Sequence, residues 1–295
     1  MNNINKDQLN PEIFKLYNDY AHSRMTKREF LNKLSVYAVG GLTVANLINF
    51  LLPNYAMAIQ VPESDNRLKV QTIQYDSPQG GGKISAQLAM PSNIQGKLGA
   101  VVVVHENRGL NPYIADVGRR AALAGFITLA PDALSPLGGY PGDDDKGREM
   151  QASRDRDEML RDFLAAITYL QQHPQSNGKV GIVGFCFGGW VSNMAAAEVP
   201  NLAAAVPYYG RQAPLEVVPQ INAPLLLHFA EHDDGVNSGW SDYEQALQQH
   251  NKRYLAYHYA GTNHGFHNDS TPRFDKAAAE LSWQRTLAFL GEHLR

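Results

Sequence analysis

The sequence predicts an α/β domain with a mostly parallel central sheet of about eight strands and helices on both faces. Three observations carry this. Short β-rich runs alternate with helix-patterned segments from residue 69 to the C-terminus. Runs such as residues 100–104 are apolar at every position, as suits a strand covered on both faces. The stretch Val180-Gly181-Ile182-Val183-Gly184-Phe185-Cys186-Phe187-Gly188-Gly189 passes from an apolar strand through a tight turn into the Ala-rich, helix-forming residues 190–198.

The elements follow in order. Residues 69–75 and 84–90 flank Ser77-Pro78-Gln79-Gly80-Gly81-Gly82 and read as an opening antiparallel hairpin. Residues 100–104 form the first buried strand. Residues 111–124 have helical periodicity and stop at Gly125, a natural C-cap. A strand over 126–130 comes next. Residues 134–147, rich in Gly, Pro and Asp, read as a loop, with Asp143-Asp144-Asp145 a solvated run. Residues 157–172 place Leu160, Phe163, Leu164, Ile167 and Leu170 on one helical face. The strand over 179–183 feeds the tight turn. Further strands are expected over 202–206, 223–229 and 253–257, and helices over 241–250 and 275–293. There is no internal repeat or low-complexity tract.

Of 295 residues, 44% are hydrophobic and 19% charged, enough for a sizeable core. A net charge of −3 with scattered Lys and Arg gives no general drive toward nucleic acid. One cysteine excludes an intramolecular disulfide and a multi-cysteine zinc site. A monomer is expected.

Residues 1–58 read as an export leader. They have a polar start, then Thr26-Lys27-Arg28-Glu29-Phe30-Leu31-Asn32-Lys33, an apolar run over 34–52 and Ala56-Met57-Ala58. Ile13, Phe14, Leu16 and Tyr17 suggest a short amphipathic turn. The segment resembles a twin-arginine signal, with Lys27 in place of the first arginine. Cleavage after Ala58 would give an exported or periplasmic protein. Without cleavage the run would be a membrane anchor or a helix packed on a cytoplasmic domain. Residues 59–68 are then a linker and 69–295 the catalytic domain.

In such a sheet, reactive groups gather at the carboxyl ends of the strands. Cys186 follows one strand, at a turn that would lift its sulfur above the strand end. The following helix N-terminus favours thiolate there. The N–H of Phe187 would face a developing oxyanion. Asp233 lies beyond a second strand and His264 beyond a third. The order nucleophile, acid, histidine is that of the α/β-hydrolases. His264 would hold the proton and Asp233 would orient its ring. Glu231, His232, Asp234 and His267 are close rivals in sequence. Glu106 and Asn107 follow residues 101–104, on the loop that supplies the second oxyanion-hole N–H in such a hydrolase. Glu106 could take the thiol proton, or raise the thiol pKa by repulsion. Arg108 could pair with Glu106 or bind an anionic substrate. Aromatics including Tyr113, Tyr140, Trp190, Tyr208, Tyr209 and Phe266 are candidates for lining the pocket or for ordinary core.

Together His105-Glu106-Asn107-Arg108-Gly109-Leu110-Asn111, Ala130-Pro131-Asp132, Gly184-Phe185-Cys186-Phe187-Gly188-Gly189, Pro207-Tyr208-Tyr209-Gly210, the loop around Asp233, and Gly261-Thr262-Asn263-His264-Gly265-Phe266 resemble the dienelactone hydrolase (carboxymethylenebutenolidase) family over roughly residues 69–295. The resemblance implies an α/β-hydrolase fold and a Cys186–His264–Asp233 triad, with Glu106 helping to activate Cys186 when substrate binds. It implies hydrolysis of an enol-lactone or ester through a thioester, without metal or cofactor. This chain departs from the family pattern in having no arginine between His264 and Arg273, or over residues 134–145. Arg108 or Arg211 are the replacements in reach, and a broader ester or lactone stands beside dienelactone as the expected substrate. A different class, a small-molecule binder or thiol redox sensor on the same fold, would oxidise at Cys186 without turnover. A dehalogenase would need a carboxylate where Cys186 stands.

Overall fold

The computed structural model describes residue 4, residue 6 and residues 9–295. Four helices come first: α1 (Glu12–Ala21), α2 (Lys27–Leu34), α3 (Val44–Leu51) and α4 (Tyr55–Ala58). Strands β1 (Leu68–Ser77) and β2 (Gly82–Pro91) form the expected antiparallel hairpin. The chain continues through β3 (Leu98–Val104), α5 (Pro112–Leu123), β4 (Ile127–Pro131), α6 (Asp144–Ser153), α7 (Arg156–Gln172), β5 (Ser176–Phe185) and α8 (Phe187–Glu198). It ends with β6 (Ala204–Tyr208), β7 (Leu225–His232), α9 (Asp234–Asn237), α10 (Trp240–Gln249), β8 (Tyr254–Asn263) and α11 (Lys276–Leu294).

All eight strands join one sheet in the order β1-β2-β4-β3-β5-β6-β7-β8, parallel from β4 onward. The continuous apolar run of β3 has the reason expected of it. Ala100, Val102 and Val104 enter a core shared with α7 and α8, while Val101 and Val103 enter one shared with α5 and α11. Helices on both faces therefore bury both side-chain sets of the central strands.

Two stretches differ from expectation. Asp143-Asp144-Asp145 is not a solvated loop: Asp143 caps α6 by accepting from the Lys146 N–H (2.8 Å), and Asp144 begins the helix. Three acidic residues at a helix start are favoured by its dipole, so a local charge run was a capping signal. Residues 34–52 form a short turn and then α3 rather than one continuous apolar helix. No helix among the described residues is long and apolar enough to cross a membrane.

The twin-arginine-like residues have structural partners. Thr26 and Glu29 make a reciprocal capping box at the start of α2. Phe30 is buried and stacks on Tyr20, with ring centroids 4.7 Å apart. Lys27 pairs with Asp145 of α6 at 2.9 Å. Ile13, Phe14, Tyr17, Tyr20, Phe30, Leu34, Leu47 and Leu51 form a small core of their own. In the expected linker, Val61 is buried, and the Gln60 and Val61 N–H groups donate to Asp116 of α5.

Candidate active site

The turn between β5 and α8 is as sharp as its glycines require. Cys186 is forced to φ 56° and ψ −108°, outside the ordinary range for a residue with a side chain. A Cβ on Gly184 would lie 1.9 Å from the Gly188 carbonyl oxygen, and one on Gly188 would lie 2.5 Å from that of Val104. The glycines thus let β5, α8 and β3 pack together around the strained residue. Phe187 opens α8, so its N–H is among the first-turn donors without an intrahelical acceptor.

The loops after β7 and β8 bring the other two members together. His264 Nδ1 and Asp233 Oδ2 are 2.5 Å apart and both residues are buried. Burial opposes charge on His264, but Asp233 and Cys186 outweigh it and raise its pKa to about 10. With Nδ1–H committed to Asp233, Nε2 faces the site, buried and with no hydrogen-bond partner. The rivals fall away on placement. Glu231, His232 and Asp234 are exposed. His267 hydrogen-bonds Tyr113 at 2.7 Å, and burial drives its pKa down to about 3.

Cys186, His264 and Asp233 line one cavity of about 460 Å³. Phe187, Trp190 and Tyr209 line it too, with Arg154, Arg156 and Arg211. Arg156 lies over the Trp190 ring, 3.6 Å from its centroid. Burial, then the charge of Arg211, lower the Arg156 pKa. Among the described residues neither Arg156 nor Arg211 has a carboxylate within ion-pair distance, so two cations stand unneutralised on this wall.

Several expected site residues have other work. The Glu106 carboxylate is buried and accepts from Asn268 Nδ2 at 2.9 Å; it makes no hydrogen bond to Cys186. The Asn107 side chain donates to the Ala21 carbonyl at the end of α1. Arg108 is not on the cavity wall. Its guanidinium pairs with Asp144 (2.9 Å) and reaches the Tyr17 hydroxyl (3.3 Å). Tyr140 also donates to Asp144, at 2.8 Å. Tyr208 is fully buried against Thr286, 2.7 Å away. Arg108, Tyr140 and Tyr208 therefore hold the fold in this structure rather than line the cavity. Position next to a site motif pointed at them; a salt bridge 36 residues away in sequence was invisible.

One site residue went unseen. His22, the C-cap of α1, places Nε2 3.2 Å from Cys186 Sγ. Its Nδ1 is 2.7 Å from the Asn18 carbonyl, and the ring meets His264 edge-on with centroids 4.6 Å apart. Burial, reinforced by the charge of His264, lowers its pKa well below the usual imidazole value. The tempting signal was a single histidine within a segment read as a leader, and nothing local connects it to residue 186.

A sharp strand-to-helix turn bearing Cys186 after β5, an acid after β7 and a histidine after β8, on one eight-stranded sheet, have the arrangement of an α/β-hydrolase. The sequence profile of the dienelactone hydrolase family matches residues 84–294, and a profile described as YqhI-like matches residues 1–39. A Bradyrhizobium protein named as a 2-oxo-3-(5-oxofuran-2-ylidene)propanoate lactonase is 33% identical over 71% of this chain and 89% of its own length. YghX of Escherichia coli (strain K12), named as a hydrolase fragment, is 55% identical over 39% of this chain and 97% of its own. A crystal structure from Klebsiella pneumoniae named as a dienelactone hydrolase superposes with a TM-score of 0.67 at 25% identity, covering 76% of this chain and 99% of that one. The chain belongs to the dienelactone hydrolase family and is a hydrolase acting on lactone or ester bonds.

Proposed function

We propose that the protein hydrolyses a small anionic ester or lactone through a thioester on Cys186. The observation that supports this best is the strained Cys186 at the start of α8, in one cavity with an Asp233-backed His264. The thiolate attacks the acyl carbon, and the oxyanion is met by the N–H of Phe187 and a backbone N–H of the Asn107 loop. His264 gives its Nε2 proton to the departing alkoxide. Water then attacks the thioester, returns a proton to His264, and releases the acid with the thiolate restored. Arg156 and Arg211 hold the substrate's anionic group, Arg211 in the role the sequence offered it and Arg156 in place of Arg108. Glu106 can join only after leaving Asn268.

Mass spectrometry of the full chain during reaction with a panel of esters and lactones tests the reading. A transient acyl adduct on Cys186 is expected. Turnover without an adduct, undiminished in Cys186→Ala, would overturn it. Export with cleavage after Ala58 would leave a mature chain starting at Ile59. We propose instead that the segment is retained, because it carries His22 and is clasped through Tyr17, Tyr20 and Ala21. The intact mass of protein recovered from its host decides between the two, and with it between an exported and a retained chain.

A further inference from the structure

We propose that His22, Cys186 and His264 form a three-ligand site for a thiolate-preferring divalent cation of the zinc class, assembled between the N-terminal helices and the catalytic domain. One ring nitrogen of each histidine and the Cys186 sulfur lie within 4.8 Å of one another. A tetrahedral zinc with bonds of about 2.0–2.3 Å holds its donors about 3.3–3.6 Å apart. His22 Nε2 and Cys186 Sγ are already 3.2 Å apart, so the third donor needs only a small approach.

The orientation of both rings supports this. A carbonyl oxygen only accepts, so the Asn18 contact fixes the proton of neutral His22 on Nδ1 and leaves a bare lone pair on Nε2 facing sulfur. On the other side, Asp233 holds the Nδ1–H of His264, so Nε2, the nitrogen that carries the exchangeable proton, faces the same space, buried and with no hydrogen-bond partner among the described residues. Histidines that bind metals are oriented in this way, by a carbonyl or a carboxylate on the far nitrogen. Once the Cys186–His264 pair gives up its one proton, three donor atoms converge with no proton among them. The approximately 460 Å³ cavity beside them leaves the fourth position to water. Binding exchanges one proton, released to solvent from the Cys186–His264 pair, for the cation. If Cys186 is the nucleophile proposed above, a metal-bound sulfur cannot attack an acyl carbon. Cation and substrate then exclude each other.

The test titrates the full chain with Zn²⁺ against a chromophoric chelator, and with Co²⁺ for its sulfur-to-cobalt charge-transfer absorption. One equivalent per chain is expected, with the absorption lost in Cys186→Ala and affinity at least tenfold weaker in His22→Ala. His22→Gln, which keeps most of the side-chain bulk, guards against a loosened α1, and circular dichroism checks each variant's fold. Equal affinity in the native chain and both His22 variants, or no sulfur-to-cobalt band, would overturn the proposal. The hydrolase reading fails separately: its failure is cation binding without turnover of any ester, whereas failure here is turnover without cation binding.

Discussion

The catalytic domain and the N-terminal helices meet at one sulfur, yet they are held by different forces. The domain is a sheet buried on both faces, with valines of β3 at no solvent exposure. The N-terminal helices have only a small aromatic and aliphatic core. They join the domain through polar clasps. Asn107 and Arg148 donate to the last carbonyls of α1, which a helix end otherwise leaves unpaired. Arg108 bridges Tyr17 and Asp144, and Tyr55 also donates to Asp144, at 2.9 Å. Apolar burial makes a body that unfolds as a unit, whereas hydrogen bonds between preformed surfaces make a joint that can open alone.

The two histidines repeat this contrast. His264 is backed by a carboxylate and held above the ordinary imidazole range; His22 is backed by a neutral carbonyl and held below it. The same ring type, against the same sulfur, takes opposite charge preferences because the Asp233 charge outweighs burial at His264, whereas at His22 burial, then the charge of His264, prevail over the carbonyl behind it.

The sharpest break between the two regions is Cys186→Ala. It is expected to lower kcat by at least about 10⁴-fold while protection of α1 from hydrogen exchange stays unchanged. Asp233→Asn is expected to cost about 10²–10⁴-fold in kcat, by freeing the His264 tautomer. It should also shift the alkaline limb of the pH–rate profile to lower pH, since Asp233 is the leading charge that raises His264. Arg108→Ala sharpens the comparison from the other side. Removing one partner of a buried pair costs about 3–5 kcal/mol. The loss should appear as faster proteolysis within residues 10–58, with the domain's own thermal unfolding shifted less. Arg211→Ala is expected to raise KM about 10–100-fold for an ester with a free carboxylate and to leave a neutral ester almost unaffected. The smallest effect is on stability. His264 is raised in the folded state, so its contribution is complete below about 6.5 and fades as pH climbs through about 10. Denaturant midpoints measured from pH 6 to 10.5 should fall across that window, and less so in Asp233→Asn.

Much of this was legible in the sequence for a physical reason. Periodicity and turn chemistry are local, so the hairpin, the buried strands and the elbow at residues 184–189 could be read directly. Cys186, Asp233 and His264 could be brought to one place because strand ends in a parallel sheet converge. What escaped was long-range. Asp144 gathers Tyr55, Tyr140 and Arg108 from three segments, and no local pattern announces that. Arg211, a replacement the sequence offered, does line the cavity, whereas Arg156 reaches it from the start of α7, far from every site motif, and could not be picked out by position. The first 58 residues can be read in two ways, because a helix start with Lys-Arg and a following apolar run has the composition of an export signal. The capping box of Thr26 and Glu29 was present in that same string.

The contact between His22 and Cys186 spans 164 residues. During synthesis α1 leaves the ribosome long before its dock exists, because the elbow, α6 and the loop after β8 are all still to be made. For that interval its aromatic residues have only one another for company, and the last helix to complete the sheet's cover is also the last of the chain. A chain still being made therefore holds α1 in waiting, because the surface around Cys186 that it covers is made after it.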